Sequence, residues 1–515
     1  MEQVQTGRAQ GPFSISQIET MYGHGKWRGM IRFPVIQGEK VRPCDDGTGS
    51  GHNPTWFTPE TTQQMPARWS AAMGRAFTDR ASSLGEAPWT LGGTSDDEPS
   101  AYQSSPARQP EYTVVLLVVP FSGDGFVAGQ IVAFVPRGLN FGLSAAVLQY
   151  CRKPALWVTI ARRLFAAIVH SYIDDFTTVE PAFAVGKLVP SASGGLRRPG
   201  SSQGVLWAVG QLLHWTLSEA KFLPWSQVST STGVVTDFST LTSNGNILLR
   251  IKESTRTKAL EAVLRALLRR SITPNEASSL ASKLRWVLCL GLVGMGALQA
   301  LRAHQTQGES WSDDLDYSLR YLSSLLKHKP PDAVLSCARA SARPILIWSD
   351  ASWRPKLPLL YGEGRIAFVV LIPVGPSGYR LVFAESLVPF HILRALQSIR
   401  AQKTCIAPLE ELGIAAPYFC PEIVDALRGS SVIHWADNKC ANGAAIKGYS
   451  KAKDLALIVH ALHRRLSESQ IRLWIEFVPS KGNIADLPSR GDFALLHKLG
   501  ATRVSFKLPN FSSWD

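Results

Sequence analysis

Two adjacent aspartates lie between two strand-forming segments, and this arrangement limits the local fold more than any other part of the sequence. The segment IVHSYIDDFTTV has Tyr172-Ile173-Asp174-Asp175 at its centre. β-Branched and aromatic residues on both sides of this short acidic pair predict a strand–turn–strand hairpin with both carboxylates near its tip. Adjacent carboxylates that are partly buried repel each other and are stable beside a cation. The hairpin therefore predicts a divalent-metal site suited to phosphoryl transfer, and the alternative is a solvated acidic turn.

The charge of the chain indicates a polyanionic partner. Its 515 residues carry a formal net charge of +14, with a pI of about 9.5. Such an excess of lysine and arginine favours nucleic acid as the partner, whereas the alternative is a basic protein without one. The length predicts about three or four domains.

The cysteines and the apolar segments indicate the cellular compartment in which the protein is expected. The seven cysteines are widely spaced and include no Cys-x-x-Cys pair, which argues against structural zinc and favours a reducing compartment. The first residues, EQVQTGRAQG, are polar and contain no secretory signal. The most apolar run, WVLCLGLVGMGAL at 286–298, is too short to span a bilayer and predicts a buried helix. We expect a cytoplasmic or nuclear protein with no signal peptide, transmembrane segment or membrane partner.

Periodicity and turn residues predict the order of the elements. The predicted strands are 32–37, 40–43, 113–119, 131–135, part of 228–239 and a buried strand from 344, and the predicted helices are 143–170, 205–221, 257–270 and most of 302–343. The helix at 257–270 is amphipathic, with an apolar face of Leu260, Val263, Leu264, Leu267 and Leu268. Thr273 and Glu276 form the pattern of a capping box at the start of the next helix.

A third acid and an aromatic residue precede the hairpin. Asp97 lies 77 residues before Asp174, Tyr102 follows Asp97 by five residues, and Asp96 is a neighbouring alternative to Asp97. Together with LNFGLSAAV at 139–147, these residues resemble a reverse transcriptase of retrotransposon type.

That resemblance implies roles for the acids and for three further residues. Asp97, Asp174 and Asp175 are expected to hold two Mg²⁺ or Mn²⁺ ions, and Tyr102 to close the floor of the nucleotide pocket and select deoxynucleotides. In QGEKVRPCDD, Lys40 and Arg42 resemble residues that grip the incoming triphosphate. In LSEAKFLPW, Lys221 resembles a lysine that assists the departure of pyrophosphate. The alternative for each of these three cations is an ordinary solvated side chain.

A second set of acids lies in the C-terminal part of the chain. Asp350 ends the predicted strand ILIWSD, Glu410 lies in the helix-like CIAPLEELGIAA, and Asp437 ends the predicted strand SSVIHWAD. Asp486 follows in SKGNIADLPSR. Strand-end acids and one helix acid can converge on a pair of metal ions. Two alternatives remain open: Glu411 in place of Glu410, and a helix-capping role for Asp437.

This second set resembles a ribonuclease H fused behind a reverse transcriptase. Its most specific part is the pattern Asn-x-Ala-Asp-x-x-Ser-Arg, formed by Asn483, Ala485, Asp486, Ser489 and Arg490. The resemblance implies that Asp350, Glu410, Asp437 and Asp486 hold two metal ions and cut the RNA strand of an RNA–DNA hybrid.

The resemblance as a whole implies an α/β and α+β multidomain protein with a right-hand polymerase. The implied segments are 1–90 (fingers), 91–250 (palm with the hairpin), 251–340 (helical thumb and connector) and 341–515 (mixed α/β ribonuclease H-like domain). The expected partners are an RNA template, a DNA primer, an RNA–DNA hybrid and deoxynucleoside triphosphates. The ending of the nuclease set resembles tyrosine-recombinase-type retroelements more than retroviruses. The alternatives are a polymerase-inactive relic that binds nucleic acid, a protein active only as a nuclease, and a purely structural basic protein.

Overall fold

The computed structural model divides the chain into two compact units. The first comprises Met1–Thr232 and Thr236–Thr242, and the second comprises Gly233–Val235 and Ser243–Asp515. The structure describes residues 2–37, 40–57, 60–62, 64–99, 101–123, 125–186, 189–190, 196–197, 200–290, 294–307, 311–327, 333–337, 343–354, 362–400, 406–506 and 508. The coarse prediction of a mixed α/β chain with several sheets is confirmed. The finer division into four segments stays a prediction.

The elements follow one another in mixed order along the chain. As far as Ser231 they are α1 (Glu2–Gln5), β1 (Ala9–Phe13), α2 (Ile15–Tyr22), β2 (Gly29–Gln37), β3 (Lys40–Asp45), α3 (Trp69–Ser83), β4 (Leu91–Asp97), β5 (Val114–Val118), β6 (Ile131–Pro136), α4 (Ser144–Phe165), β7 (Val169–Tyr172), β8 (Asp175–Pro181), β9 (Val189–Pro190), β10 (Leu196–Arg197), α5 (Ser201–Leu212), β11 (Leu223–Ser226) and β12 (Val228–Ser231). Then come β13 (Val234–Asp237), α6 (Leu241–Asn244), β14 (Asn246–Ile251), α7 (Glu253–Arg269), α8 (Pro274–Val287), α9 (Leu298–Gln307), α10 (Asp313–Lys327) and β15 (Ala333–Ser336). The last part contains β16 (Ile345–Arg354), β17 (Glu363–Val374), β18 (Gly378–Leu387), α11 (Phe390–Arg400), α12 (Ile406–Ala415), α13 (Pro421–Leu427), β19 (Ser431–Ala436), α14 (Lys439–Lys447), α15 (Lys453–Glu468), β20 (Arg472–Phe477), α16 (Asp486–Ser489), α17 (Ala494–Lys498) and β21 (Thr502–Arg503).

The first unit is built on two sheets. One has five strands in the order β1-β6-β5-β2-β3, and the other has four in the order β11-β4-β8-β7. Helices α4 and α5 cover one face of the four-stranded sheet, where Trp157, Phe176 and Leu206 are fully buried in one apolar cluster. Burying one large apolar side chain stabilises the folded protein by about 1.5–3 kcal/mol. On the opposite face of β8, Thr177 is buried and its hydroxyl shares a hydrogen bond with that of Ser231 in β12.

After strand β14, the second unit contains four packed helices, α7 to α10. The predicted capping box is confirmed, because the Thr273 hydroxyl accepts from the Glu276 amide while the Glu276 carboxylate accepts from the Thr273 amide. The amphipathic helix α7 is confirmed, but its predicted face is partly wrong. Ala259, Val263 and Ala266 lie in the core. Leu268 is 87% exposed, because the small alanines rather than the leucines lie at the close helix contacts.

A six-stranded sheet dominates the rest of the second unit, in the order β20-β19-β16-β17-β18-β21. Strands β16, β17 and β18 form an antiparallel meander, and β19 and β20 run parallel to β16 on its other side. The alternating apolar residues of β16 and β17 face a core that α12 and α15 close. This order places the middle of β16 next to the end of β19.

Several predictions about elements are corrected. The helix predicted at 143–170 ends at Phe165, and β7 begins at Val169. Within the helical stretch predicted at 302–343, Ala333–Ser336 form the strand β15.

Strand β16 continues to Arg354, so Asp350 lies within it rather than at its end, because Ala351–Arg354 go on pairing with β17. The helix predicted at 205–221 ends at Leu212. There His214 has a φ of +54°, and the chain turns so that Trp215 packs on Trp157 with ring centroids 5.6 Å apart.

The apolar run at 286–298 does not form one helix. Helix α8 ends at Val287, and 294–297 form turns with Gly294 at a φ of +82°, a conformation that favours glycine. Residues 291–293 of the run lie outside the described part. In the part of the chain that the structure describes, no helix combines the length and the apolar character needed to cross a membrane.

Candidate functional site

The hairpin predicted around the adjacent aspartates is present. Strand β7 pairs with β8, Tyr172 lies opposite Asp175, and a two-residue turn of Ile173 and Asp174 joins them. Ile173 has a φ of +53°, which is unfavourable for a β-branched residue, and its amide donates to the Gln64 side chain at 2.9 Å. Strain held in place by its surroundings is common at functional sites.

The register of β4 against β8 brings the third acid to the hairpin. Asp97 lies directly opposite Asp175, and directly opposed residues of antiparallel strands share one face of the sheet. Asp96, by contrast, is opposite the buried Phe176, and its carboxylate accepts from Gln203 and Trp207 at 2.7 and 2.9 Å. Of the two alternatives, Asp97 is the one that faces the hairpin acids.

Burial and neighbouring charges raise the pKa of both hairpin aspartates. Burial, followed by the charges of Asp174 and Asp97, raises the pKa of Asp175 to about 6. Burial and then the charge of Asp97 raise the pKa of Asp174. The ammonium group of Lys221 lies 2.6 Å from Asp97 Oδ2 and opposes both shifts. Three carboxylates beside the ammonium group of Lys221 would gain from a bound metal ion.

Tyr102 lies beside this cluster. It belongs to a short 3₁₀ turn, Ala101–Ser104, and its ring meets Phe141 and Tyr150 edge-on, with centroids 4.8 and 5.3 Å apart. Burial and then the charge of Asp174 raise the pKa of Tyr102. The aromatic residue expected near the metal-binding acids is therefore within electrostatic reach of one of them.

Lys40 and Arg42 lie in β3, where they pair with Gln37 and Val35 of β2. Their side chains lie outside the described part of the structure. Their predicted contacts with a triphosphate stay a prediction.

The second acid set forms a compact group. One oxygen each from Asp350, Glu410 and Asp437 lies within 4.8 Å of the others, and Asp350 and Glu410 are buried. Among the described residues, this is the only group of three or more acids, histidines or cysteines that meets this distance. The group could bind a metal ion.

Close packing of α12 on β16 creates the group. A side chain at Gly413 would put its Cβ 3.2 Å from the carbonyl oxygen of Asp350, so glycine lets the helix approach this strand. Glu410 lies one helical turn before Gly413 and is carried to the same place. Asp437 is not the helix cap considered above, since Asn438 accepts from the amides of Cys440 and Ala441. The carboxylate of Asp437 is thus left for the acid group.

Burial and neighbouring charges raise the pKa of two acids of this group, Glu410 and Asp350. Burial, followed by the charges of Asp350 and Asp437, raises the pKa of Glu410 to about 9. Burial raises the pKa of Asp350 to about 7, with smaller increases from the charges of Asp437 and Asp486. Glu410 Oε2 is buried without a hydrogen-bond partner among the described residues.

Glu411 differs from its neighbour. Burial alone raises its pKa well above the usual range, and both carboxylate oxygens lack hydrogen-bond partners among the described residues. No acid of the group appears among the causes of this shift, so Glu410 is the better metal-ligand candidate.

The Asn-x-Ala-Asp-x-x-Ser-Arg segment surrounds Asp350. The Asn483 side chain donates to the Ser349 carbonyl at 2.9 Å, and the Ser489 hydroxyl donates to Asp350 Oδ2. Asp486 is outside the compact group and forms an ion pair with Arg490 at 2.7 Å. Its charge still contributes to raising the pKa of Asp350 and Glu410. This acid lies near the group but is held by a cation.

Sequence reasoning missed the buried polar groups that support both clusters. Glu98, next to Asp97, accepts from the Tyr150 hydroxyl at 2.6 Å and pairs with Lys153. His434, behind Asp350, contacts the hydroxyls of Ser349 and Tyr418 at 2.8 and 3.0 Å. Sequence reasoning had little local signal for Glu98, because its partners Tyr150 and Lys153 lie 52 and 55 residues away.

We expect the metal-free protein to lose stability as the pH rises from 6 to 9. A carboxyl group with a raised pKa keeps its proton when folded and loses it when unfolded, so stability falls between the two values. For Glu410 that interval runs from the ordinary 4.5 to about 9. Mg²⁺ requires ionised ligands, so it should raise the unfolding temperature more at pH 9 than at pH 6.

Calorimetric unfolding with and without Mg²⁺ measures both effects. The Glu410→Gln variant is the control, since it should lose part of the pH dependence. An identical pH slope in wild type and variant contradicts the assignment.

No protein-family model and no curated protein matches this chain.

Proposed function

We propose that this chain is an RNA-directed DNA polymerase of a retroelement that also has ribonuclease H activity. The observation that carries the proposal is that each compact unit holds its own set of acids. Asp97 lies opposite Asp175 in the first unit, and one oxygen each from Asp350, Glu410 and Asp437 lies within 4.8 Å of the others in the second. An enzyme with a single phosphoryl-transfer site needs only one set of metal-binding acids, whereas this chain has two. Two sets joined to a net charge of +14 favour an enzyme that both makes and degrades nucleic acid.

In the first unit, Asp97, Asp174 and Asp175 would hold Mg²⁺ or Mn²⁺, since an all-oxygen ligand set suits these ions. The bound ions would make the primer hydroxyl more acidic and neutralise charge on the leaving pyrophosphate. Lys221, which lies beside Asp97, would add a positive charge near that leaving group. The strained turn at Ile173 would hold the Asp174 carboxylate against the metals. The substrates would be an RNA template, a DNA primer and deoxynucleoside triphosphates.

In the second unit, Asp350, Glu410 and Asp437 would hold the metal ions. Asp486 would bind them as a fourth ligand after its ion pair with Arg490 breaks. The unpartnered Oε2 of Glu410 supports this, because a buried oxygen without a donor is suited to a cation. The antiparallel meander followed by parallel strands is compatible with a ribonuclease H-like fold. The substrate would be an RNA–DNA hybrid, held mainly through its backbone.

Two assays on the purified full chain test the proposal. Extension of a DNA primer on an RNA template with Mg²⁺ tests the polymerase, and cleavage of the RNA strand of a labelled hybrid tests the nuclease. We expect both activities, and both should disappear with a chelator. A chain that performs neither reaction with Mg²⁺ or Mn²⁺ refutes the proposal.

One observation favours a second candidate, a nucleic-acid-binding relic that is active only as a nuclease. Among the described residues, the compact metal-ligand group lies in the second unit, whereas Asp97 in the first is already paired with Lys221. Hybrid cleavage without primer extension would favour this candidate.

A further inference from the structure

A buried ionic cluster lies behind the hairpin acids and takes no direct part in the proposed chemistry. Glu98 is 2% exposed, and its carboxylate accepts from the Tyr150 hydroxyl at 2.6 Å and from the Ser104 hydroxyl at 2.9 Å. The ammonium group of Lys153 completes the cluster through a hydrogen bond to Glu98 and one of 3.1 Å to Ser104. The carboxylate therefore has three donors, and one of them, the ammonium group of Lys153, is also the counter-charge that its burial requires.

This cluster joins three parts of the unit at the predicted nucleotide pocket. The backbone amide of Glu98 donates to the Asp174 carbonyl at 2.9 Å, which ties the end of β4 to the hairpin turn. Tyr150 and Lys153 belong to α4. Ser104 ends the 3₁₀ turn that carries Tyr102. One residue, Glu98, thus connects the acid-bearing turn through its backbone amide and the supporting helix and aromatic turn through its carboxylate.

Two partners of Glu98, Tyr150 and Ser104, restrict the position of Tyr102. Its ring meets the Tyr150 ring edge-on at 5.3 Å, and its own turn is tied to Glu98 through Ser104. Phe141 closes the other side of the ring at 4.8 Å. A ring so fixed beside Asp174 has little freedom to move aside for an extra hydroxyl group on a bound sugar.

We propose that Glu98, Tyr150 and Lys153 form a positioning hub that fixes the Tyr102 ring beside Asp174 and sets how strictly the nucleotide site excludes a ribose. The proposal rests on the polymerase function proposed above. The three are positioning residues, since they act on substrate through Tyr102. Loosening the hub should admit ribonucleotides while the chemistry with deoxynucleotides continues.

The first test needs no enzymatic activity. Tyr102 is replaced by 3-fluorotyrosine, and its ¹⁹F resonance is compared between the parent chain, Tyr150→Phe and Glu98→Gln. Both changes remove hub contacts while keeping side-chain shape, so we expect a shifted or broadened resonance. Thr78→Val is the matched control, because it removes a buried hydroxyl bond of 2.9 Å to Gly74 within α3. An unchanged resonance in both hub variants overturns the proposal.

The second test measures the ratio of kcat/KM for a deoxynucleotide to that for the matching ribonucleotide. In Tyr150→Phe we expect the ratio to fall by about tenfold or more, mainly through a lower KM for the ribonucleotide, with kcat for the deoxynucleotide nearly unchanged. If Glu98→Gln does not fold, the double variant with Lys153→Met removes both charges together and replaces it. A ratio unchanged within about twofold overturns the selectivity role.

If the parent chain incorporates no nucleotide, the polymerase proposal and the selectivity role fail together, and the fluorine resonance still decides whether the hub holds Tyr102.

Discussion

Replacing Glu410 with glutamine is expected to reduce hybrid cleavage by about a hundredfold or more, since even changes beside metal ligands cost up to that much. The same change should raise the unfolding temperature of the metal-free protein at pH 8. Burial, followed by repulsion from the charges of Asp350 and Asp437, raises the pKa of Glu410 to about 9. A neutral amide removes that repulsion and also removes a metal ligand. Activity and metal-free stability should therefore change in opposite directions.

Glu411→Gln is the matched control for this variant. The two residues are adjacent, both are buried in α12, and the substitution is the same. Because Glu411 is outside the acid group, its variant should keep cleavage within a few-fold of wild type. Hybrid cleavage measured at saturating Mg²⁺ distinguishes the two. Without metal, both variants should unfold at a higher temperature than wild type at pH 8, because the pKa of each carboxyl group is raised in the folded protein. Loss of cleavage in Glu411→Gln with retention in Glu410→Gln would reverse the assignment.

Replacing Asp97 with asparagine is expected to abolish primer extension, again by about a hundredfold or more, and to leave hybrid cleavage within about twofold. Asp97 shares a face with Asp175 and bonds to Lys221, so its charge is part of the first acid cluster. The nuclease acids belong to the other compact unit, so the substitution leaves them unchanged. Extension and cleavage assays on the same preparation measure this separation.

Asp96→Asn is the control for Asp97. Its carboxylate accepts from Gln203 and Trp207, so the variant should be less stable by about 1–2 kcal/mol and still extend primers. If Asp96→Asn loses extension and Asp97→Asn keeps it, the metal-binding role belongs to Asp96.

Local sequence patterns predicted the parts of the site that depend on neighbouring residues. The hairpin at Asp174 follows from strand-forming segments on both sides of a turn, and the acid in α12 follows from an apolar helical segment. The choice between Asp96 and Asp97 could not be made from the sequence. It depends on the register of β4 against a strand about 80 residues away, which no local pattern encodes.

Contacts between residues far apart in the sequence were the other part of the structure that could not be predicted. Glu98 is stabilised by side chains of α4, and nothing in the sequence around it indicates that they would meet. The end of β16 was misplaced for a similar reason, because its last residues are strand only through their pairing with β17. The apolar face of α7 was predicted by hydrophobicity, whereas the observed face is set by how closely a neighbouring helix can approach small residues.

Side chains alternate between the two faces of β4, so the spacing of this strand matters as much as its composition. An in-frame insertion or deletion of one codon that shifts its pairing with β8 would exchange the faces of the sheet on which Asp96 and Asp97 lie. The encoded protein would keep both acids, yet Asp97 would face Gln203 and Trp207. Most missense changes in β4 leave that alternation intact. Natural selection on this segment should therefore remove length variants more strictly than substitutions.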